Sequence, residues 1–401
     1  MLTVGKVGPA NAGYYQSAVV AGMEDHYAGE GEAPGRWVGP IWLVLSPAVR
    51  RLPSTPGCCW RLYVLGDSNV VATVEAAHTA AVEQAVASVS PRIAYTRTGH
   101  AGAAVVDADG VFGIRDRHRT SRALDPQLHD HVLISNAVRT VSDGEWRTLD
   151  ARGLYRQSKA AGVEYQAHLR AGLRASLGVE FTDVDGNGQA DIVGIDNEVL
   201  VEFSTRGVDI ETQVDAWATA FFEREGRPPS PVEVGKARKT ITLATRDAKP
   251  ADAGLPTATL REGWRSRADG LVDVGEMLAA VLGNPSTPMP VVRPSIDDVF
   301  LAVETKYAEW AEPELIEQIA ARVTGPDPAT IAATIDEVLV EAMASAEVVD
   351  LAPPSEPGDM LNANSLSLTG PPPPITAATE PSPQVLHHWE VSMTPKQQRS
   401  K

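Results

Sequence analysis

The pair His129 and His131, set just ahead of the apolar run Val132-Leu133-Ile134, constrains this chain more than any other stretch. Residues two apart share one face of a β-strand, so a strand here presents both imidazoles together, as two metal ligands would stand. His118 lies eleven residues upstream, across a segment whose Asp125-Pro126 reads as a turn, so a neighbouring strand brings it back as a third ligand. Three imidazoles leave open positions on a divalent ion, which then acts as a Lewis acid toward a phosphoryl or carbonyl oxygen. An isolated His-x-His is also common on solvated strands that hold no ion, and the third histidine shifts the balance.

Composition sets the outer bounds. A chain of 401 residues holds two or three domains by length, and 43% hydrophobic content supplies a sizeable core. No apolar run reaches the roughly 18 residues of a membrane span, and Met1-Leu2-Thr3-Val4-Gly5-Lys6 has no signal-peptide core, so a cytoplasmic protein is expected. The adjacent Cys58 and Cys59 build no disulfide framework and no spaced ligand pair, which suits a reducing compartment. A net charge of −17 argues against a nucleic-acid partner, because phosphate binding usually leaves a basic footprint. The acid is unevenly spread, however: residues 1–200 carry 18 Lys and Arg against 22 Asp and Glu, and residues 201–401 carry 17 against 30. Arg115, Arg117, Arg119 and Arg122 cluster beside the histidines, although a solvated strand face accounts for such a run too.

In chain order, a β-prone start leads to a segment from Ala10 to Met23 that suits a helix and carries Tyr14 and Tyr15. Adjacent helical residues point about 100° apart, so one tyrosine faces the core and the other is free for another task. Pro40 to Tyr63, with four prolines, two tryptophans and both cysteines, has no clean period of strand or helix. Val70 to Val89 reads as an amphipathic helix, with His78 a surface or packing residue. The short β-prone runs from Arg92 to Ile114 read as an antiparallel meander feeding into His118, and the histidine strand, Leu128 to Thr140, is expected in that same sheet. His100, in a Gly-rich turn, is not expected to be a ligand.

Asp143-Gly144 predicts a hairpin turn and residues 151–177 a helix. Asp183 to Asp191 imitates a calcium loop, but Gly194 stands where a bidentate Glu belongs, so a turn between strands is expected. Helices follow over Val199–Phe222, Pro231–Thr245 and Leu260–Ala268, then one or two acidic helices over 294–348, and a Pro-rich disordered tail over 352–401. The chain contains no Gly-x4-Gly-Lys-Ser/Thr loop.

His118, Thr120-Ser121-Arg122, Asp125-Pro126-Gln127-Leu128-His129-Asp130-His131 and Asn136-Ala137-Val138-Arg139 stand in the order of the three-histidine motif, and the chain resembles conjugative relaxases of the TrwC or MobF type. The likeness extends to Glu30-Gly31-Glu32-Ala33-Pro34-Gly35-Arg36-Trp37, Leu154-Tyr155-Arg156 and Tyr165-Gln166-Ala167-His168-Leu169-Arg170. It implies metal-dependent nicking of one DNA strand at a transfer origin. His118, His129 and His131 would hold a divalent Mg, Mn or Zn ion, and Tyr14 or Tyr15 would attack the phosphodiester. Relatives carry a second Tyr-Tyr pair where this chain has His26-Tyr27, so only Tyr27 matches. Single-stranded DNA, accessory relaxosome proteins and a coupling protein are the implied partners.

Relatives also carry an aspartate-bearing strand at the place of Pro40–Tyr63. No acidic residue lies between Glu32 and Asp67, which suggests an internal deletion with a local frameshift and the loss of a central strand. The expected architecture is α+β: an antiparallel, palm-like sheet flanked by helices over 1–270, an acidic helical extension over 271–350 and a disordered tail over 351–401. Two other readings stay open: a remnant that binds single-stranded DNA without cutting, and an unrelated three-histidine metal enzyme.

Overall fold

The structure, a computed structural model, describes residues 3–6, 27–28, 41–45, 58–121, 124–186, 188–245, 256–285, 289–345, 348–350 and 366–368. Its centre is a five-stranded antiparallel sheet in the order β1-β3-β7-β6-β2, formed by β1 (Thr3–Lys6), β2 (Tyr27–Ala28), β3 (Ile41–Leu45), β6 (Gly113–Thr120) and β7 (Pro126–Ile134). β3 corrects the expectation of a lost central strand. It lies between β1 and β7, with Thr3 opposite Val44 and Leu45 opposite Asp130. Five apolar residues, Ile-Trp-Leu-Val-Leu, make a strand without alternation, as strands inside a sheet often do, and so leave no period to read. Within the same odd segment, α1 (Cys58–Leu65) forms a helix whose Trp60, Leu62, Tyr63 and Leu65 enter the core.

β7 alternates as a two-faced strand should. Pro126, Leu128, Asp130 and Val132 are buried, while Gln127, His129 and His131 are only partly so. The buried face rests on α1, on α2 (Ser68–Ile93) and on α3 (Ala151–Leu177), with Leu128, Val132 and Ile134 in one cluster with Val74, Ala81, Leu154 and Leu169. The carboxylate of Asp67 caps α2, accepting from the amides of Asn69 and Val70 at 2.9 Å. The helix runs on past the expected end at Val89 to Ile93, with Pro91 inside its last turn. α3 has the expected bounds, starting at the Asp150 cap and ending at Gly178, whose φ of 63° lets the chain turn away.

The meander does not share the histidine sheet. β4 (Tyr95–Thr98) pairs with β5 (Ala104–Asp107), and β8 (Ala137–Arg139) with β9 (Trp146–Thr148), as separate two-stranded sheets joined by bridges at Thr96–Leu149 and Ala108–Thr140. The histidine strand therefore breaks at Ser135-Asn136, where the Ser135 hydroxyl accepts from the amide of Ala137 in place of the ladder.

The chain from Asp183 to Asp191 is a tight turn between extended arms bridged at Phe181 and Ile192, as expected. The next predicted helix is split at Phe203-Ser204 into α4 (Asn197–Glu202) and α5 (Thr205–Glu225); α6 (Pro231–Ala244), α7 (Thr257–Asp269) and α8 (Val274–Val281) follow. Val274, Met277, Leu278 and Val281 of α8 join the first core. The acidic stretch forms three helices rather than one or two: α9 (Ile296–Lys306), α10 (Glu312–Arg322) and α11 (Pro328–Met343).

These three helices build a second core on the far side of α3, where Ala160, Val163, Ala167 and Ala171 meet Leu315, Ile319, Ile335 and Val338. Within the stretch expected as a disordered tail, Leu366–Leu368 pairs with Val348–Asp350; residues 351–365 and 369–401 lie outside the described residues. No helix among the described residues is long and apolar enough to cross a membrane.

Candidate metal centre

β6 and β7 run antiparallel with His118 directly opposite His129, and His131 follows two residues on along β7. The three rings meet on the sheet face turned away from α2 and α3. Their centroids are 4.6 to 5.3 Å apart, and one nitrogen from each lies within 4.8 Å of the others. Three nitrogen donors this close fit one divalent ion and leave part of its coordination sphere open. His129 Nδ1 lies 2.8 Å from the carbonyl of Gln127, to which it donates, so Nε2 remains for coordination. Burial, with the neighbouring His118, lowers the pKa of His129 to about 4, so it is the neutral, ligating form at ordinary pH.

The loop between the two histidine strands is anchored from outside the sheet. Leu124 takes a φ of 59°, unusual for a side chain of its size, and its carbonyl accepts from Trp264 Nε1 of α7 at 3.0 Å. Asp125 accepts from the amide and hydroxyl of Thr205 at the start of α5, at 3.1 and 3.2 Å, and burial raises its pKa. The motif's Asp thus ties the histidine loop to the helical layer.

The opposite face carries charge that the sequence pattern did not reveal. Asp130, between the two β7 histidines, points into the core with a fully buried side chain. It accepts a two-pronged contact from Arg117, at 2.9 and 3.0 Å, and these partners, with His78, hold its carboxyl well below the usual range against the cost of burial. His78 is a wholly buried packing residue: its Nδ1 is 2.7 Å from Tyr165 Oη and its Nε2 is 3.0 Å from Asp130, an oblique contact. Burial lowers its pKa, against the pull of Asp130.

Arg115 meets Asp130 and Glu83, and Arg119 meets Glu75. The arginine run is therefore committed to α2 and to Asp130, on the side away from the histidines, and its support for a DNA surface falls away; Arg122 lies outside the described residues. The available signal was Asp130 itself, a charge placed in the buried phase of an alternating strand.

Tyr14 and Tyr15 lie outside the described residues. Tyr27 is placed at the sheet edge, in register with Arg115, three residues along β6 from His118. His100 sits in a short exposed turn apart from the three ligands, as expected.

An antiparallel sheet covered by helices on one face and carrying three convergent imidazoles on the other defines a protein with a divalent-metal centre on a sheet face. The chain belongs to the TrwC relaxase family, whose family model matches residues 60–271. It is 31% identical over 158 residues to the multifunctional conjugation protein TraI of Escherichia coli, a match covering 37% of this chain and 8% of that relative. Two solved structures share the fold: the conjugative relaxase TrwC in complex with mutant oriT DNA, TM-score 0.50, and its copper-bound complex with oriT DNA, TM-score 0.51. Each is 21% identical, with 68% of this chain and 100% of the other covered. The reading as an unrelated three-histidine enzyme is set aside by the family match.

Proposed function

We propose that this chain is a DNA relaxase that nicks one strand at a transfer origin, in plasmid conjugation or mobilisation, and holds the cut end as a tyrosine phosphodiester. The observation that carries this reading is the three-histidine centre on the sheet of a chain in this family. The oriT DNA named in the two structural relatives supports origin DNA as substrate; its single-stranded form, and relaxosome and coupling proteins as further partners, are what the family resemblance implies.

His118, His129 and His131 would hold the ion. Imidazole donors suit Mn²⁺ or Zn²⁺ better than Mg²⁺, which prefers oxygen. A bound ion supplies Lewis acidity toward the scissile phosphate. The Gln127 carbonyl keeps His129 in one tautomer, and Leu128 and Val132 anchor the ligand strand in the core.

Tyr14 or Tyr15 attacks phosphorus: a bond forms from the phenol oxygen to phosphorus, the bond to the 3′ oxygen breaks, and the phenol proton ends on that oxygen, which leaves as the 3′ hydroxyl. Tyr27 would serve as the second-transfer tyrosine that the family resemblance implies. A second reading, a remnant that binds DNA without cutting, is favoured by one observation: β3 lies beside β7 and has no carboxylate in Ile41–Leu45.

One experiment separates the two. With Mn²⁺ and single-stranded origin oligonucleotides from its own element, the chain is expected to give a denaturant-resistant protein–DNA band that Tyr14→Phe plus Tyr15→Phe abolishes. Binding without a band would establish the remnant.

A further inference from the structure

We propose that Asp130, gripped by Arg117 and seated on His78, is the positioning residue of the three-histidine centre, setting the ligand geometry from the buried side of the sheet. The inference rests on the metal reading of the histidines. It starts from register. Along the β6–β7 ladder the cross-strand pairs run His118–His129, Arg117–Asp130, Asp116–His131. The ion pair thus sits between the two rungs that carry the ligands, on the opposite face.

Immediately beyond His118 the ladder is irregular, with a register shift between His118 and Thr120, so regular pairing does not hold the ligands from that end. A slip of one residue would turn His129 and His131 to the buried face. The Arg117 fork, with Nε on Oδ1 at 2.9 Å and Nη2 on Oδ2 at 3.0 Å, is lost in such a slip, which carries Asp130 to the other face. Arg117 Nη2 also donates to Thr79 at 2.9 Å, beside His78 on α2, and His78 reaches Tyr165 on α3 at 2.7 Å. The two ligand strands are thereby pinned to each other and to both long helices through one carboxylate.

A buried ion pair is a poor device for stability alone, since well-packed apolar residues of similar volume often do as well or better, and that separates the two roles. The full-length chain is compared with Asp130→Asn and with the double variant Arg117→Met/Asp130→Leu, which removes both members of the pair and leaves Arg115 its contact with Glu83. Co²⁺ serves as the probe, read by its binding isotherm and visible absorption, beside far-UV circular dichroism and melting temperature. In the double variant Co²⁺ is expected to bind about 10–100-fold more weakly, the scale of losing an outer-shell support, with an altered spectrum and a wild-type melting temperature. Unchanged affinity and spectrum in the double variant would overturn the proposal, whatever its melting temperature and whether or not Asp130→Asn folds.

Failure of the wild type to bind Co²⁺ would sink the metal reading instead. The positioning role then stands or falls on the ¹⁵N spectrum of His129. Loss of its single Nδ1–H tautomer in the double variant supports the role, and an unchanged tautomer rejects it.

Discussion

Glu164 lies 3% exposed on α3, with the Ser88 hydroxyl donating to it at 2.7 Å. Burial pushes its carboxyl up to about 7, against the pull of that hydrogen bond and of Arg92. A folded-state value above the unfolded 4.5 means that the group's contribution is fully present below about 4.5 and is lost as pH rises through about 7. At about 1.4 kcal/mol per unit the loss is at most about 3.5 kcal/mol. Urea unfolding of the wild type and Glu164→Gln at pH 5 and pH 8 should show the wild type losing ground to the variant at the higher pH. A difference that does not change with pH would reject this.

Arg119 makes a second residue-level case. Its contact with Glu75 lies on the helix side, so Arg119→Gln should leave the salt dependence of oligonucleotide binding unchanged, whereas a phosphate-binding arginine would lower the slope by about one.

At the scale of elements, the parts legible in the sequence were those with their own punctuation. α3 could be bounded to the residue because Asp150 and Gly178 mark its ends, and the His118–His129–His131 grouping followed from strand parity and a turn. β3 could not be read, because a strand flanked on both edges by other strands needs no polar alternation. The role of α3 was equally hidden. Its Gln157, Glu164, Gln166, His168 and Arg170 suggest a solvated stripe, yet all are buried, since sheet-side and extension-side cores both rest on this one helix. Sequence periodicity registers one apolar face and has no signal for a helix packed on two.

At the scale of the molecule, the shared helix makes the two cores one thermodynamic unit. Leu315 and Ile319 of α10 are fully buried against α3, so Leu315→Ala should cost about 2–5 kcal/mol. The loss should appear as well in hydrogen exchange of α2, on the other side of α3; full protection of α2 amides in the variant would show the cores to be independent. The strand order has a consequence in time. β3 completes the sheet only by pairing with β7, whose residues leave the ribosome some 90 positions later; at about 5–20 residues per second that is an interval of several seconds. Throughout it Ile41-Trp42-Leu43-Val44-Leu45 has β1 to pair with on one edge and an empty edge on the other, and whatever shields that apolar edge on the nascent chain governs how much protein reaches the native state.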